Sequence, residues 1–246
     1  FVDETRCLHM TLSLHTEIPP IDVLSDEYQG KIVNPGTPTV FVGIRDKASL
    51  TGLYLLNGLA LETIDLKVSV QGYRGLVLQN QLGIIDNSQI FEPFGPLAKL
   101  DSSFYIGSGE IFSKNLTDLK INIKWDSIPT VEGGFKSYYD AYPTKVNNDD
   151  FKVNIAYLNH QHWNPSHAQN RQVVPLFQVI KNNKGGEQLD YLRTINEIDV
   201  AALRITKTNH PLDVAVYGPK TVAGFLKLQL CAPEQAFGHA IYPNLM

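Results

Sequence analysis

The chain has 246 residues and 21 Lys+Arg against 25 Asp+Glu, a net charge of −4. Hydrophobic residues at 43% and charged residues at 19% supply a core and exclude a disordered, self-repelling chain. The acidic balance argues against a partner that is nucleic acid, which basic surfaces recognise by neutralising phosphates. No apolar run approaches the ~18–20 residues of a membrane-crossing helix, so no membrane span is expected.

Gly, Pro and Asn together supply 49 of the 246 residues, a composition rich in turn formers. Between the turns lie short runs of period two. In chain order they are Leu8, Met10, Leu12 and Leu14; Ile64, Leu66, Val68 and Val70; Leu119, Ile121, Ile123 and Trp125; Phe151, Val153, Ile155 and Tyr157; Leu212, Val214 and Val216; and Leu226, Leu228 and Leu230. This spacing places the apolar side chains on one face of a half-buried strand. Antiparallel sheets with one wet face produce it.

Helix signals are sparse. Residues 50–61 suit one or two turns, weakened by Gly52 and Gly58. Leu189, Leu192, Ile195 and Ile198 are spaced so that residues 186–203 are open to either a short helix or extended chain. Strands do not alternate with helices as in βαβ units. The expected class is therefore mainly β, with antiparallel β-sandwich domains and little helix. A Pro- and Gly-rich stretch at 90–97 suggests a division into a domain at 1–95 and a second, also sandwich-like, at 96–246. Cys7 and Cys231 are too few for a disulfide scaffold and read as free thiols rather than a bridge.

Chemistry is hard to find. His160, His162 and His167 lie in a polar stretch with no carboxylate or cysteine nearby, and read as a solvated loop without a metal. Glu197 and Asp199 have the i, i+2 spacing of a glycosidase carboxylate pair, but Ala201 and Ala202 stand where a further acid belongs. Gly107-Ser108-Gly109-Glu110 lacks the third glycine of a dinucleotide fingerprint and the Lys-Ser/Thr of a phosphate loop. No cofactor and no catalytic residue is expected. Two long stretches, 128–148 and 159–175, carry Tyr138, Tyr139, Tyr142 and Trp163. Long loops of this kind commonly bind something, and Tyr and Trp anchor interfaces, so these four are the interface candidates. Tyr105 is a further aromatic of the same type. Sugar stacking on the aromatics, as in a carbohydrate-binding or adhesin sandwich, is the alternative reading.

Several segments occur in an order that carries more information than any one of them. They are Leu76–Asp86 with its L-Q-N-x-L-G-x-x-D pattern, the F-x-P-F-G-P of 91–96, the S-S-F-Y-I-G-S of 102–108, the Gly224-Phe225-Leu226-Lys227-Leu228 run, and the A-F-G-H-x-x-Y-P of 236–243. This series resembles the baseplate J-like (wedge) proteins of phage-tail-like contractile injection systems. The resemblance spans about two thirds of the chain. It implies a structural protein that links hub and sheath through contacts with other baseplate wedge, hub and sheath proteins. It implies no enzymatic activity, assembly in the bacterial cytoplasm and then residence in the injection particle. Such proteins are much longer, so an internal fragment is expected, in keeping with the opening Phe1-Val2-Asp3. One departure stands out: Asp101 precedes Ser102-Ser103 where a glycine is expected.

Overall fold

A computed structural model describes residues 69–206, 212 and 214–246. Ser69–Met246 forms one compact unit. The strand expected at 8–14, the helix at 50–61 and Cys7 lie outside the described residues, as does the strand expected at 64–70 except for Ser69 and Val70, which are exposed and not in a strand. The fold is mainly β, at 32% strand and 9% helix. The α-helices among the described residues are three single turns, α1 (Gly109–Phe112), α2 (Phe135–Tyr138) and α3 (Val200–Leu203), beside one 3-10 turn at Ala168–Asn170.

The main sheet has seven antiparallel strands. Its order is β2 (Gly83–Ile85), β1 (Val77–Asn80), β3 (Ser103–Gly107), β11 (Phe225–Ala232) and β5 (Lys152–Asn159). Beyond β5, two short strands share one edge: β6 (His162–Asn164) pairs with its second half and β7 (Gln172–Pro175) with its first. Two ladders complete the unit, β4 (Ile121–Lys124) with β10 (Leu192–Ile195), and β8 (Gln178–Lys181) with β9 (Glu187–Asp190).

Register sorts the side chains of the main sheet into two faces. Leu226, Leu228 and Leu230 stand opposite Tyr157, Ile155 and Val153, while Ile106 and Phe104 stand opposite Leu226 and Leu228. That face builds the core, which also takes in Leu189 and Ile195 from the small ladders, and Trp125, Phe151 and Phe177. This two-layer packing is compatible with a sandwich. The alternation read at 119–125, 151–157 and 226–230 is realised in β4, β5 and β11.

Two expectations need correction, and the open reading of 186–203 is decided. The boundary expected at residue 95 falls inside this unit, because β1 on one side pairs with β3 on the other. Phe94, one residue from that boundary, is buried and packs edge-on against Phe104. Residues 187–195 form strands, with a turn at Asp190-Tyr191 where the Asp190 carboxylate accepts from the Leu192 amide at 3.0 Å. Only 200–203 of that region is helical, capped by Asp199, whose carboxylate accepts from the Ala202 amide at 3.0 Å. The run at 212–216 is not a strand among its described residues. There Leu212 and Val214 fill the hollow over Gly107, Gly109 and Gly224.

The motif segments converge. β1, β3 and β11 are neighbours, and Phe91 and Phe94 both pack on Phe104. Tyr242 donates its amide to the Ala98 carbonyl at 2.7 Å, tying the C-terminal motif to the same place. A Cβ on Gly107 would stand 2.5 Å from the Phe225 ring and 2.7 Å from Val214, so this glycine serves close approach. Ser108 caps α1 by accepting from the Ile111 amide at 3.1 Å. Asp101 adopts a left-handed φ of 68°, the conformation for which a glycine was expected there.

Candidate functional site

The four interface candidates divide between two places. Tyr138, Tyr139 and Tyr142 gather around α2. Trp163 lies on the other face of the main sheet.

The α2 site is built from a glycine pair and one asparagine. Gly133 and Gly134 both have positive φ and turn the chain sharply into α2. Asn148 is buried, accepts from the Phe135 amide at 2.9 Å and donates to the Gly133 carbonyl at 3.1 Å. Phe135 then plugs into the core, with its ring 4.8 Å from Phe177 and 5.0 Å from Phe151. With that face fixed, Tyr138 points outward and is 60% exposed. Tyr139 is half-buried and stacks on Phe237 at 3.9 Å, while Tyr142 meets Phe237 at 5.6 Å and His239 at 5.4 Å. Burial is the main cause that pushes the Tyr139 hydroxyl above its ordinary pKa, followed by Tyr138 and Tyr142. A groove of about 380 Å³ runs beside the helix, lined by Trp125, Ile128, Val131, Phe135, Tyr138 and Tyr139 among others. Val131 and Tyr138 are its exposed apolar rim.

The second place has a different chemistry. The polar positions of β5 and β11, which the alternation assigns to solvent, are covered. Lys227 is 8% exposed, and Asn154, Ala156, Leu158 and Phe225 are buried beside it. Register puts Tyr105, Lys227 and Ala156 in one row and Ser103, Gln229 and Asn154 in the next. Tyr217, from the irregular chain after 214, stacks on Tyr105 at 4.6 Å and meets Trp163 at 5.5 Å. Trp163 lies 5.8 Å from Tyr105, and the Lys227 ammonium stands 4.5 Å over the indole ring. Burial, then the charge of Arg171, lowers the Lys227 pKa to about 8. Because these rings pack on one another, they offer a sugar little free face for stacking.

Arg171 reaches across this face just before β7. Its guanidinium donates to the Pro165 and Ser166 carbonyls at 3.0 and 3.2 Å, to Gln229 Oε1 at 3.1 Å and to Asn154 Oδ1 at 3.4 Å. The sequence offered no signal for Lys227 or Arg171, because their neighbours come from residues 101–105, 154–171 and 217.

The remaining sequence candidates do not assemble. His160 takes a positive φ in the β5–β6 hairpin turn, and His162 and His167 are exposed. Glu197 lies 3.6 Å from Arg193, and Asp199 is used as the α3 cap. Among the described residues, no group of His, Cys, Asp and Glu is arranged to hold a metal. No helix among them is long and apolar enough to cross a membrane. No family model matches the chain, and no curated protein matches it.

Proposed function

We propose that the chain belongs to a structural baseplate component of a contractile, phage-tail-like injection apparatus, joining hub and sheath through protein–protein contacts. The ordered motifs support this reading, and their convergence on β1, β3 and β11 gives them a common architectural reason. The observation that carries the contact role is Tyr138, held outward at 60% exposure on the rim of a groove of mixed polar and apolar lining by a buried turn. Nothing in the fold of α2 needs that ring in solvent. An exposed aromatic beside a groove is the usual form of an interface anchor. The role is structural and not enzymatic, with assembly in the bacterial cytoplasm before incorporation into the particle.

The test is Tyr138→Ala in the full-length protein. Because the ring is exposed, the variant folds as the parent does, and baseplate assembly is impaired. Particles that assemble and contract normally with Tyr138→Ala would remove the α2 site from the interface.

A further inference from the structure

Buried ammonium groups are costly unless paired, because burial removes their hydration. Lys227 is more than nine-tenths buried as a residue and makes no hydrogen bond or ion pair among the described residues, and its nitrogen still reaches solvent, since no side-chain nitrogen or oxygen is both buried and unpartnered among them. Its ammonium stands over the Trp163 ring, which attracts a cation but accepts no conventional hydrogen bond. The adjacent cation, Arg171, is likewise without an ion pair among the described residues. Of its five N–H groups, the neighbouring carbonyls and amides occupy four, leaving one on Nη2. Asp101 is the carboxylate whose charge reaches Lys227, but it is exposed and its Oδ1 accepts from Gln229 Nε2 at 3.2 Å. Among the described residues, two cations on one sheet face therefore retain unused donors, with Trp163, Tyr105 and Tyr217 packed beside Lys227.

We propose that Lys227 and Arg171 form a receptor for a carboxylate, supplied by an Asp or Glu side chain of another protein subunit. A carboxylate brings one negative charge and two acceptor oxygens, enough for the ammonium and the remaining guanidinium donor. Phosphate would bring more charge and more acceptors than the site can meet, with Asp101 close enough to repel it. The packed aromatic rings argue against a sugar acid, which would need a free face. The choice of a protein as the source rests on the baseplate reading; the carboxylate site does not.

Two arms test the proposal. In the first, the Lys227 side-chain signal is followed by NMR against pH in acetate, phosphate and chloride at equal ionic strength. Acetate should raise the protonation midpoint of Lys227 by about one unit, a roughly tenfold change, in a saturable manner that Arg171→Gln removes. Phosphate and chloride should change it by less than about threefold. If acetate acts no differently from chloride, or phosphate matches it, the carboxylate receptor is wrong. In the second arm, intact particles are treated with a carbodiimide, which couples a carboxylate to an adjacent amine as an amide with loss of water to the reagent. Mass spectrometry should then find Lys227 joined to an Asp or Glu of a different chain. Coupling to Asp101 alone would overturn the partner assignment. An acetate effect in a chain that enters no particle would retain the receptor and reject the baseplate reading.

Discussion

Tyr138 and Tyr139 are consecutive, yet their replacement by alanine should have very different costs. The Tyr139 ring stacks on Phe237 at 3.9 Å and also contacts Phe135 and Tyr142. Truncating a fully buried aromatic costs about 3–5 kcal/mol. Tyr139 is half-buried, so about 2 kcal/mol is expected, including ~0.5–1.5 kcal/mol from aromatic pairing. Tyr138 keeps only an edge contact to Tyr139 at 4.9 Å, so its loss should cost less than about 0.5 kcal/mol. For a unit of this size, each kcal/mol moves Tm by roughly 2–4 °C. Tyr139→Ala should therefore melt about 4–8 °C below the parent and Tyr138→Ala within about 2 °C of it. The assay is thermal unfolding followed by near-UV circular dichroism. Equal losses for the two variants, or a silent Tyr139→Ala, would refute the placement of α2. The same contrast means that a double replacement is a poor interface probe, whereas Tyr138→Ala alone is a clean one.

Three more predictions rest on single features. Lys227 has its pKa lowered to about 8, so between that value and ~10.4 the unfolded chain binds a proton that the native state has released, and stability rises with pH. Cys231 and the partly buried tyrosines, whose pKa values are raised, lose stability over the same range, so the comparison is between variants: from pH 8 to about pH 9.5 the parent should gain about 1–1.5 kcal/mol relative to Lys227→Met in urea unfolding, and parallel pH profiles would contradict the assignment. Gly107→Ala drives a methyl group into the Phe225 ring and should destabilise by about 1–3 kcal/mol, whereas Gly218→Ala, with nothing within 4 Å, should lie within ~0.5 kcal/mol of the parent by the same urea assay. Asn148→Ala strands the buried Phe135 amide and should cost about 1–3 kcal/mol, with faster hydrogen exchange at Phe135; unchanged exchange there would show that the bracket is unnecessary.

The period-two pattern was legible where one strand face meets the core, as in β4, β5 and β11. It failed where long-range packing decided the outcome. In β5 and β11 the supposed wet face is buried, because Arg171, Trp163 and Tyr217 arrive from distant segments to cover Asn154 and Lys227. In 187–195 the spacing left helix and extended chain open, and the fold decides for strands: Leu189 and Ile195 are buried, but Leu192 between them is 59% exposed at the start of β10. Leu212 and Val214 alternate without joining a ladder, since their task is to fill space above three glycines. Asp101 is the opposite case. The resemblance called for a glycine, and the backbone there does take the left-handed form, which Asp tolerates better than most residues. Of the interface candidates, the three tyrosines named from the sequence do cluster around α2, which their short spacing made legible. Trp163 was found without its partners Tyr217 and Lys227, whose meeting depends on the fold of the whole sheet.

The central claim is that the α2 surface is covered by another subunit of an injection particle. Hydroxyl-radical footprinting of Tyr138, read by mass spectrometry on the free chain and on intact particles, tests it most directly. Tyr138 should be oxidised readily in the free chain and protected at least about tenfold in the particle, while exposed His162 of the edge strand β6 serves as the internal reference. Equal oxidation of Tyr138 in both states, or particles that lack the chain, would contradict the account.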